Sequence, residues 1–175
     1  GSPYTARSGM ILADGGKTLI CWPAASGAVV IPEGITKIGN EAFQNSGLTS
    51  VTFPDSLLCI GSYAFSYCNS LKQVTFPQHL REIENNAFSG VPLTAIDLPA
   101  SVQRIGDGAF QQWGPSAPVS VTVRNPYAVF GTEVLQYNYA MSAAFAGTFV
   151  VHGYAGSTAA AYAAALTEEY VRLYM

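Results

Sequence analysis

Residues 51–65 read VTFPDSLLCIGSYAF, and residues 74–88 read VTFPQHLREIENNAF. Two further copies of this pattern are IPEGITKIGNEAF at 31–43 and LPASVQRIGDGAF at 98–110. Successive copies place their proline and their last phenylalanine 22, 23 and 22 residues apart. A constant period of this length is typical of a solenoid, in which each repeat forms one coil. The prolines are Pro32, Pro54, Pro77 and Pro99, and the phenylalanines are Phe43, Phe65, Phe88 and Phe110.

Two short apolar segments in each copy predict two short strands. In the first segment Val51 and Phe53 are apolar and Thr52 between them is polar, which is the period of a strand with one buried face. The proline that follows ends the strand, because it has no N–H to donate to a sheet. The second segment, such as 57–60, leads to a glycine in three copies and to Glu84 in the other. The pattern therefore predicts a β-rich solenoid.

In such a solenoid the residue types at inward positions must repeat, because the inward side chains of each coil pack against those of the next coil. One unit of about 22 residues cannot bury its own apolar side, so the units bury it by stacking. We expect the four repeated phenylalanines to form an internal column and to be structural core residues. Positions that face water are free to vary, and in this sequence they do.

These residues resemble the BspA-like leucine-rich repeats of bacterial surface proteins, whose pattern is similar to L-x-x-[VI]-x-[IVF]-P-x-x-[VIL]-x-x-I-G-x-x-A-F. The resemblance implies one leucine-rich-repeat domain over 1–175, coiled in the right-handed sense. It places an N-terminal hairpin cap at 10–27, with a turn at 14–16, and repeats at 28–123. Residues 124–175 would then hold an irregular aromatic insert, a closing strand and a capping helix. Ser157 is the predicted N-cap of that helix, and Tyr162 and Leu166 are spaced to face the core.

The composition narrows the functional classes. Only 11% of the residues are charged, against roughly 25% in an average domain, and the net charge of −3 leaves no basic surface for nucleic acid. The stretch 134–167 carries no charge, but its glycines and small polar residues argue against membrane insertion. The first residues lack an apolar signal core, so we expect the native targeting segment to be absent from this chain.

We find no pattern for catalysis, for a cofactor or for a metal ion. The nucleophile, phosphate-binding and zinc-protease motifs are missing, and no C-x-x-C occurs. We therefore expect a protein that is not an enzyme. Glu82 and Glu84 alternate on one strand, and we expect both to face water. The three cysteines should be free thiols, with Cys59 exposed and Cys68 near the core.

The resemblance implies a secreted or cell-surface protein that binds other proteins, and we expect a monomeric, adhesin-like module. Its partner would be a host extracellular-matrix or surface protein. The outward positions of the V-x-F strands form ladders of short side chains, and they are the predicted contact surface. An alternative is a carbohydrate-binding module that uses the aromatic insert, and a third reading is an architectural spacer. The predicted protein contacts are Ser50, Thr52, Gln73, Thr75 and Asp97, and the alternative contacts are Trp113, Tyr127, Tyr137 and Tyr139.

Overall fold

The computed structural model describes residues 2–112, 119–135, 149–165 and 171–174, with the main chain alone described at 149–150 and 171–174. These residues form a β-solenoid of about five turns with one C-terminal helix, which confirms the predicted fold class. The first five strands are β1 (Thr5–Arg7), β2 (Met10–Ala13), β3 (Thr18–Cys21), β4 (Ser26–Val30) and β5 (Lys37–Ile38). The next five are β6 (Gly47–Thr52), β7 (Cys59–Ile60), β8 (Glu82–Ile83), β9 (Ala95–Leu98) and β10 (Arg104–Ile105). The remaining elements are β11 (Val119–Val123), β12 (Val129–Phe130), β13 (Phe149–His152), the helix α1 (Thr158–Ala165) and β14 (Val171–Tyr174).

The N-terminal hairpin covers the first coil. Strands β2 and β3 pair in the antiparallel sense, and a 3-10 turn at Asp14–Gly16 joins them, as the sequence predicts. Gly15 has a φ of +67°, a conformation that glycine adopts without steric cost. Strand β3 then pairs in parallel with β5 of the first repeat. Through this pairing the hairpin lays the buried side chains of Met10 and Leu12 over the open end of the core.

One side of the solenoid is a continuous eight-stranded sheet in the order β1-β2-β3-β5-β7-β8-β10-β12. The repeats contribute one two-residue strand each, and these strands pair in parallel and in register. Their isoleucines point inward and are fully buried, while the residue before each isoleucine points outward. The outward residues stack from coil to coil in the order Lys37, Cys59, Glu82 and Arg104.

The second side of each coil is a tight turn that follows the second strand. An equivalent position in each turn has a left-handed φ between +53° and +60°, occupied by Glu41, Tyr63, Asn86, Gly108 and Glu133, and the first two turns have a second such residue at Asn45 and Tyr67. This conformation bends the chain back towards the core without a long loop. Neighbouring turns are joined by main-chain hydrogen bonds, for example from the Phe65 N–H to the Ala87 carbonyl at 2.8 Å. The small alanine before each phenylalanine lets these turns stack closely.

In the three copies that have a glycine after the second strand, this glycine allows close approach of the coils and does not serve an unusual φ. None of Gly39, Gly61 and Gly106 has a positive φ. A Cβ atom added at Gly61 would lie 2.7 Å from the Ile38 carbonyl oxygen, and one at Gly106 would lie 2.6 Å from the Asn85 nitrogen. Real Cβ contacts essentially never reach these distances. The glycine therefore permits the spacing between successive coils.

The four repeated phenylalanines form an internal column. The ring centroids of Phe43 and Phe65 are 5.1 Å apart, those of Phe65 and Phe88 are 5.1 Å apart, and those of Phe88 and Phe110 are 5.5 Å apart. Successive rings are within 13° of parallel, and all four side chains are buried. Phe53 and Phe76 from the V-x-F segments meet this column edge-on. Aromatic pairs in both geometries are favourable in addition to the burial of their area.

The third side carries the V-x-F segments, and here the structure corrects the sequence prediction of a strand in every copy. Strand β4 pairs with β6, and β9, β11, β13 and β14 form a separate four-stranded sheet. The segment 71–77 between them, predicted as a strand, is not one. Its main-chain groups from Lys72 to Phe76 have no hydrogen-bond partner among the described residues. This coil is also the one that carries the extra residue of the 23-residue step.

The helix α1 packs across the last described coil. The Ser157 hydroxyl oxygen accepts a hydrogen bond from the Ala160 N–H at 3.1 Å, which confirms Ser157 as the N-cap. The Tyr162 ring stacks on Phe130 at 4.9 Å, and its hydroxyl oxygen accepts a hydrogen bond from the Leu135 N–H at 3.1 Å. Leu166, the second residue predicted to face the core, lies outside the described residues.

Candidate functional site

The outward side chains of the third side form one surface, which we call the ladder face. It comprises the five predicted protein contacts together with their neighbours Ala95 and Arg124. All five predicted contacts are exposed. Ser50 and Thr52 lie on β6 and Asp97 lies on β9, so regular strands hold their positions. Gln73 and Thr75 lie on the unpaired segment between these strands.

Two clefts flank the unpaired segment. The first cleft lies between β6 and the segment, has a volume of about 370 Å³, and has Thr52, Asp55, Thr75 and Gln78 at its polar edges. The second cleft lies between the segment and β9, with a volume of about 310 Å³. The ladder face is therefore indented on both sides of Thr75 rather than flat.

Arg124 is a site residue that sequence reasoning missed. Its guanidinium donates to both carboxylate oxygens of Asp97, from Nε at 2.9 Å and from Nη2 at 2.7 Å, at the edge of the second cleft. This pairing raises the pKa of Arg124, whose hydrogen bond to Asp97 is the main cause. A sequence signal existed, because Arg124 stands where the four clear repeats have their proline. A proline at this position ends the strand and carries no charge. The arginine instead places a positive charge on the ladder face.

Asp55 is the second residue that the sequence did not single out. It lies in the turn after Pro54, a position that predicts only a turn. Its N–H donates to a carboxylate oxygen of Glu33 at 2.9 Å, which fixes the main chain of the turn. Its own carboxylate has no partner among the described residues, and it lines the first cleft. The first cleft therefore has a net negative edge, whereas Arg124 neutralises the carboxylate of the second.

The alternative aromatic site is described in part only. Trp113, Tyr137 and Tyr139 lie outside the described residues. Tyr127 is 82% exposed, and a hydrogen bond from its N–H to the Asn125 side chain holds its main chain. Phe130, the next aromatic residue along the chain, is not available to a ligand in the same way, because it packs against Tyr162 of the helix.

A second cluster, formed by Lys37, Cys59, Ser62 and Glu84, lies on the outer face of the eight-stranded sheet. Its contacts correct two of the sequence predictions. Glu84 does not simply face water, because its carboxylate accepts hydrogen bonds from the Lys37 ammonium at 2.7 Å and from the Ser62 N–H at 3.1 Å. Lys37 lies two coils away, so the bond passes over the coil between them. Cys59 is half-buried rather than exposed, and its thiol donates to Glu84 at 3.3 Å. All three cysteines are free thiols as predicted, and Cys68 is buried.

Burial and hydrogen bonding shift the pKa of Glu84 in opposite directions, but they shift the pKa of Cys59 in the same direction. Burial alone would raise the pKa of Glu84, but the hydrogen bonds from Lys37, Cys59 and Ser62 outweigh it and lower that pKa below its ordinary value of 4.5. Burial raises the pKa of Cys59 to about 12, and the acceptor carboxylate adds to the rise. The thiol is therefore protonated at neutral pH and is a poor nucleophile.

The cluster brings together groups that could ligate a metal ion, but its charges are already paired. The ligand atoms of Cys59, Glu82 and Glu84 lie within 4.8 Å of one another. Lys37 pairs with Glu84, and Arg104 pairs with Glu82 at 2.6 Å. A cation would have to displace both side chains and remove the proton of a thiol with a high pKa. We interpret the cluster as an ion-pair network that joins four coils.

The substitution Glu84→Gln is expected to destabilise the fold by about 1 kcal/mol at pH 7, because it removes the charged partner of Lys37. A carboxyl whose pKa is lowered by folding stabilises the folded state above its ordinary pKa of 4.5, and this contribution is lost as the pH falls through the lower, folded-state value. Urea denaturation should therefore show a gap between parent and variant that closes below about pH 4.

The matched control is Glu82→Gln, which removes a carboxylate of the same sheet from an exposed pair with Arg104. Exposed ion pairs contribute little to the free energy of unfolding, so this variant should unfold at nearly the same urea concentration as the parent. A gap between Glu84→Gln and the parent that stays equal from pH 7 to pH 3 would contradict the role of the Lys37 pair.

Comparisons with known proteins agree with this architecture. The family model of the BspA type Leucine rich repeat region matches six copies across residues 26–125. No curated protein matches the chain. Within the part of the chain that the structure describes, no helix is long and apolar enough to cross a membrane.

Solved structures with the same fold come from several bacteria. A leucine-rich repeat protein from Bacteroides capillosus is 32% identical, with a TM-score of 0.53, over 59% of this chain and 88% of its own. The pneumococcal vaccine antigen PcpA is 17% identical, with a TM-score of 0.68, over 99% of this chain and 48% of its own. A leucine rich cell surface protein from Faecalibacterium prausnitzii is 26% identical, with a TM-score of 0.56, over 81% of this chain and 40% of its own. The repeat pattern, the solenoid and the match over residues 26–125 agree, and the chain belongs to the BspA-type leucine-rich repeat family.

Proposed function

We propose that this chain is a non-catalytic, adhesin-like module that binds another protein through its ladder face, and that it acts at the bacterial cell surface or after secretion. The observation that carries this proposal is the ladder face itself. Its predicted contact residues are exposed, and four of the five side chains are uncharged. Short uncharged side chains lose little hydration and little conformational entropy when a partner covers them.

The rest of the fold supplies the rigidity that such a surface needs. The Phe column and the eight-stranded sheet hold every repeat from two sides. A surface that is already in its bound shape does not spend binding energy on ordering. The cell-surface location rests on the description of the F. prausnitzii relative and on the family. A host extracellular-matrix or surface protein is the partner class we propose, bound by a monomer of this chain.

The test is the double substitution Thr52→Arg with Thr75→Glu. Both side chains are exposed, so the melting temperature should shift little. Binding to a panel of immobilised host extracellular-matrix proteins, measured by surface plasmon resonance, should weaken at least about tenfold, because bulky charges would have to be desolvated at the contact.

The matched control is Arg81→Glu with Gln103→Arg. These two residues are also exposed and also lie on adjacent coils, but on another face, and the Gln103 N–H donates to the Arg81 carbonyl at 2.8 Å. Binding by this control should equal that of the parent. If both double variants bind like the parent, the ladder face is not the contact surface.

Carbohydrate binding through the aromatic residues is the second candidate, and the exposure of Tyr127 favours it. An exposed aromatic ring can stack on a sugar ring. A glycan array on which the parent binds and Tyr127→Ala does not would support this candidate over the first.

A further inference from the structure

The interruption of the ladder face is a local opening in the stack of coils. Strand β6 is the edge of one sheet and β9 is the edge of another, and the segment 72–76 runs between them without pairing to either. Its main-chain N–H and C=O groups have no protein partner among the described residues. Main-chain groups without a protein partner can bond to a ligand that reaches them.

The coil that carries this segment is fixed on its other two sides. Strand β8 of the same coil pairs with both β7 and β10. In its turn, the Phe88 N–H donates to the Ala109 carbonyl, and the Ala87 carbonyl accepts from the Phe65 N–H, both at 2.8 Å. The opening is therefore built into a rigid coil, and a ligand would not have to create it.

The opening uncovers part of the core. Phe53 and Val74 are only half-buried, whereas their repeat equivalents Phe76 and Ile96 are buried. Both uncovered side chains line the clefts, Phe53 the first and Val74 the second. Each cleft therefore has an apolar floor below polar edges, which suits a side chain with an apolar stem and a polar end.

Charge distinguishes the two clefts. In the second cleft, the guanidinium of Arg124 pairs with both oxygens of Asp97. In the first cleft, the carboxylate of Asp55 has no cationic partner among the described residues, and Glu33 lies beside it. The chain thus satisfies one of its two cleft carboxylates with its own arginine and leaves the other one open.

We propose that the first cleft binds an arginine side chain on an extended segment of a partner protein, an inference that rests on the proposed function of the ladder face. The guanidinium pairs with the Asp55 carboxylate, and the aliphatic stem of the arginine lies on the half-buried ring of Phe53. The cleft volume of about 370 Å³ accommodates such a side chain.

The experiment is an NMR titration of the ¹⁵N-labelled chain with a synthetic Ser-Gly-Thr dodecapeptide that has one central arginine. Amide signals of Asp55 and of residues 72–76 should shift, and amides of β8 and β10 should not. The same peptide with citrulline in place of arginine should bind about tenfold more weakly, because it lacks the charge. The Asp55→Asn variant should bind the arginine peptide more weakly by a similar factor. The Glu82→Gln variant, which changes an acidic residue on another face, should bind this peptide with the affinity of the parent.

Three results would overturn the inference: no shift in the segment 72–76, equal binding of the arginine and citrulline peptides, or parental affinity in Asp55→Asn. Its failure is distinguishable from failure of the proposed function through a variant outside the clefts, Ala95→Arg. If Ala95→Arg abolishes binding to the matrix proteins while Asp55→Asn does not, the ladder face is the contact surface and the arginine site is wrong. If the arginine peptide binds in the cleft but neither variant changes the binding to matrix proteins, the proposed function is wrong.

Discussion

Phe65→Ala is expected to lower the free energy of unfolding by about 3–5 kcal/mol, the usual result of deleting a fully buried aromatic ring. Phe65 has no exposed surface, and it stacks between Phe43 and Phe88 at 5.1 Å on each side. The cavity would open in the middle of the column, where main-chain hydrogen bonds between neighbouring turns prevent the coils from collapsing into it. Urea denaturation followed by circular dichroism measures the loss.

Leu58→Ala on the same coil is the matched control. Leu58 is an aliphatic side chain of which 36% is exposed, so its removal should cost less than about 1 kcal/mol. A Phe65→Ala variant that unfolds at the same urea concentration as Leu58→Ala would show that the column does not carry the stability of the stack.

Gly106→Ala is expected to destabilise the fold by about 1–3 kcal/mol, although alanine is the smallest possible addition. The new Cβ atom would lie within 2.7 Å of main-chain atoms of Asn85 and Glu84 in the preceding coil. Main-chain atoms cannot rotate away as a flexible side chain can, so the two coils must separate and their hydrogen bonds must lengthen. Differential scanning calorimetry should show a lower melting temperature.

Gly47→Ala is the control for this prediction, because no atom lies closer than 3.9 Å to the new Cβ and its φ is not positive. It should be neutral or stabilising by about 0.4–1 kcal/mol, since alanine reduces the freedom of the unfolded chain. Equal melting temperatures for the two alanine variants would contradict the close-approach role of Gly106.

The elements that repeat could be predicted from the sequence. Proline, isoleucine, alanine and phenylalanine recur because each coil is packed against the next, and a side chain at an inward position has the same surroundings in every coil. For that reason the period predicted the solenoid and the inward positions. The N-cap at Ser157 was predictable on the same kind of local grounds, because capping depends on one side chain and the next three residues.

The elements that depart from the repeat could not be predicted in the same way. Glu84 stands where three copies have glycine, and the sequence indicated only an acidic residue next to a strand. Its partner Lys37 is 47 residues away and two coils distant, so no pattern within one unit reveals the pair. The free carboxylate of Asp55 was hidden for the same reason, because it becomes a cleft residue only when the segment 72–76 fails to pair.

Residue types and their period are enough to predict that this chain is a stack of leucine-rich coils with its phenylalanines inside and short polar residues outside. Those features follow from the burial of apolar side chains away from water. Which side chains are buried can be predicted from their type and from the period at which they recur. The close approach at the glycines and the opening of the ladder face at 72–76 became visible only in the packed coils. Both depend on distances of a few tenths of an ångström between coils, because a main-chain hydrogen bond or a Cβ contact is gained or lost over that range.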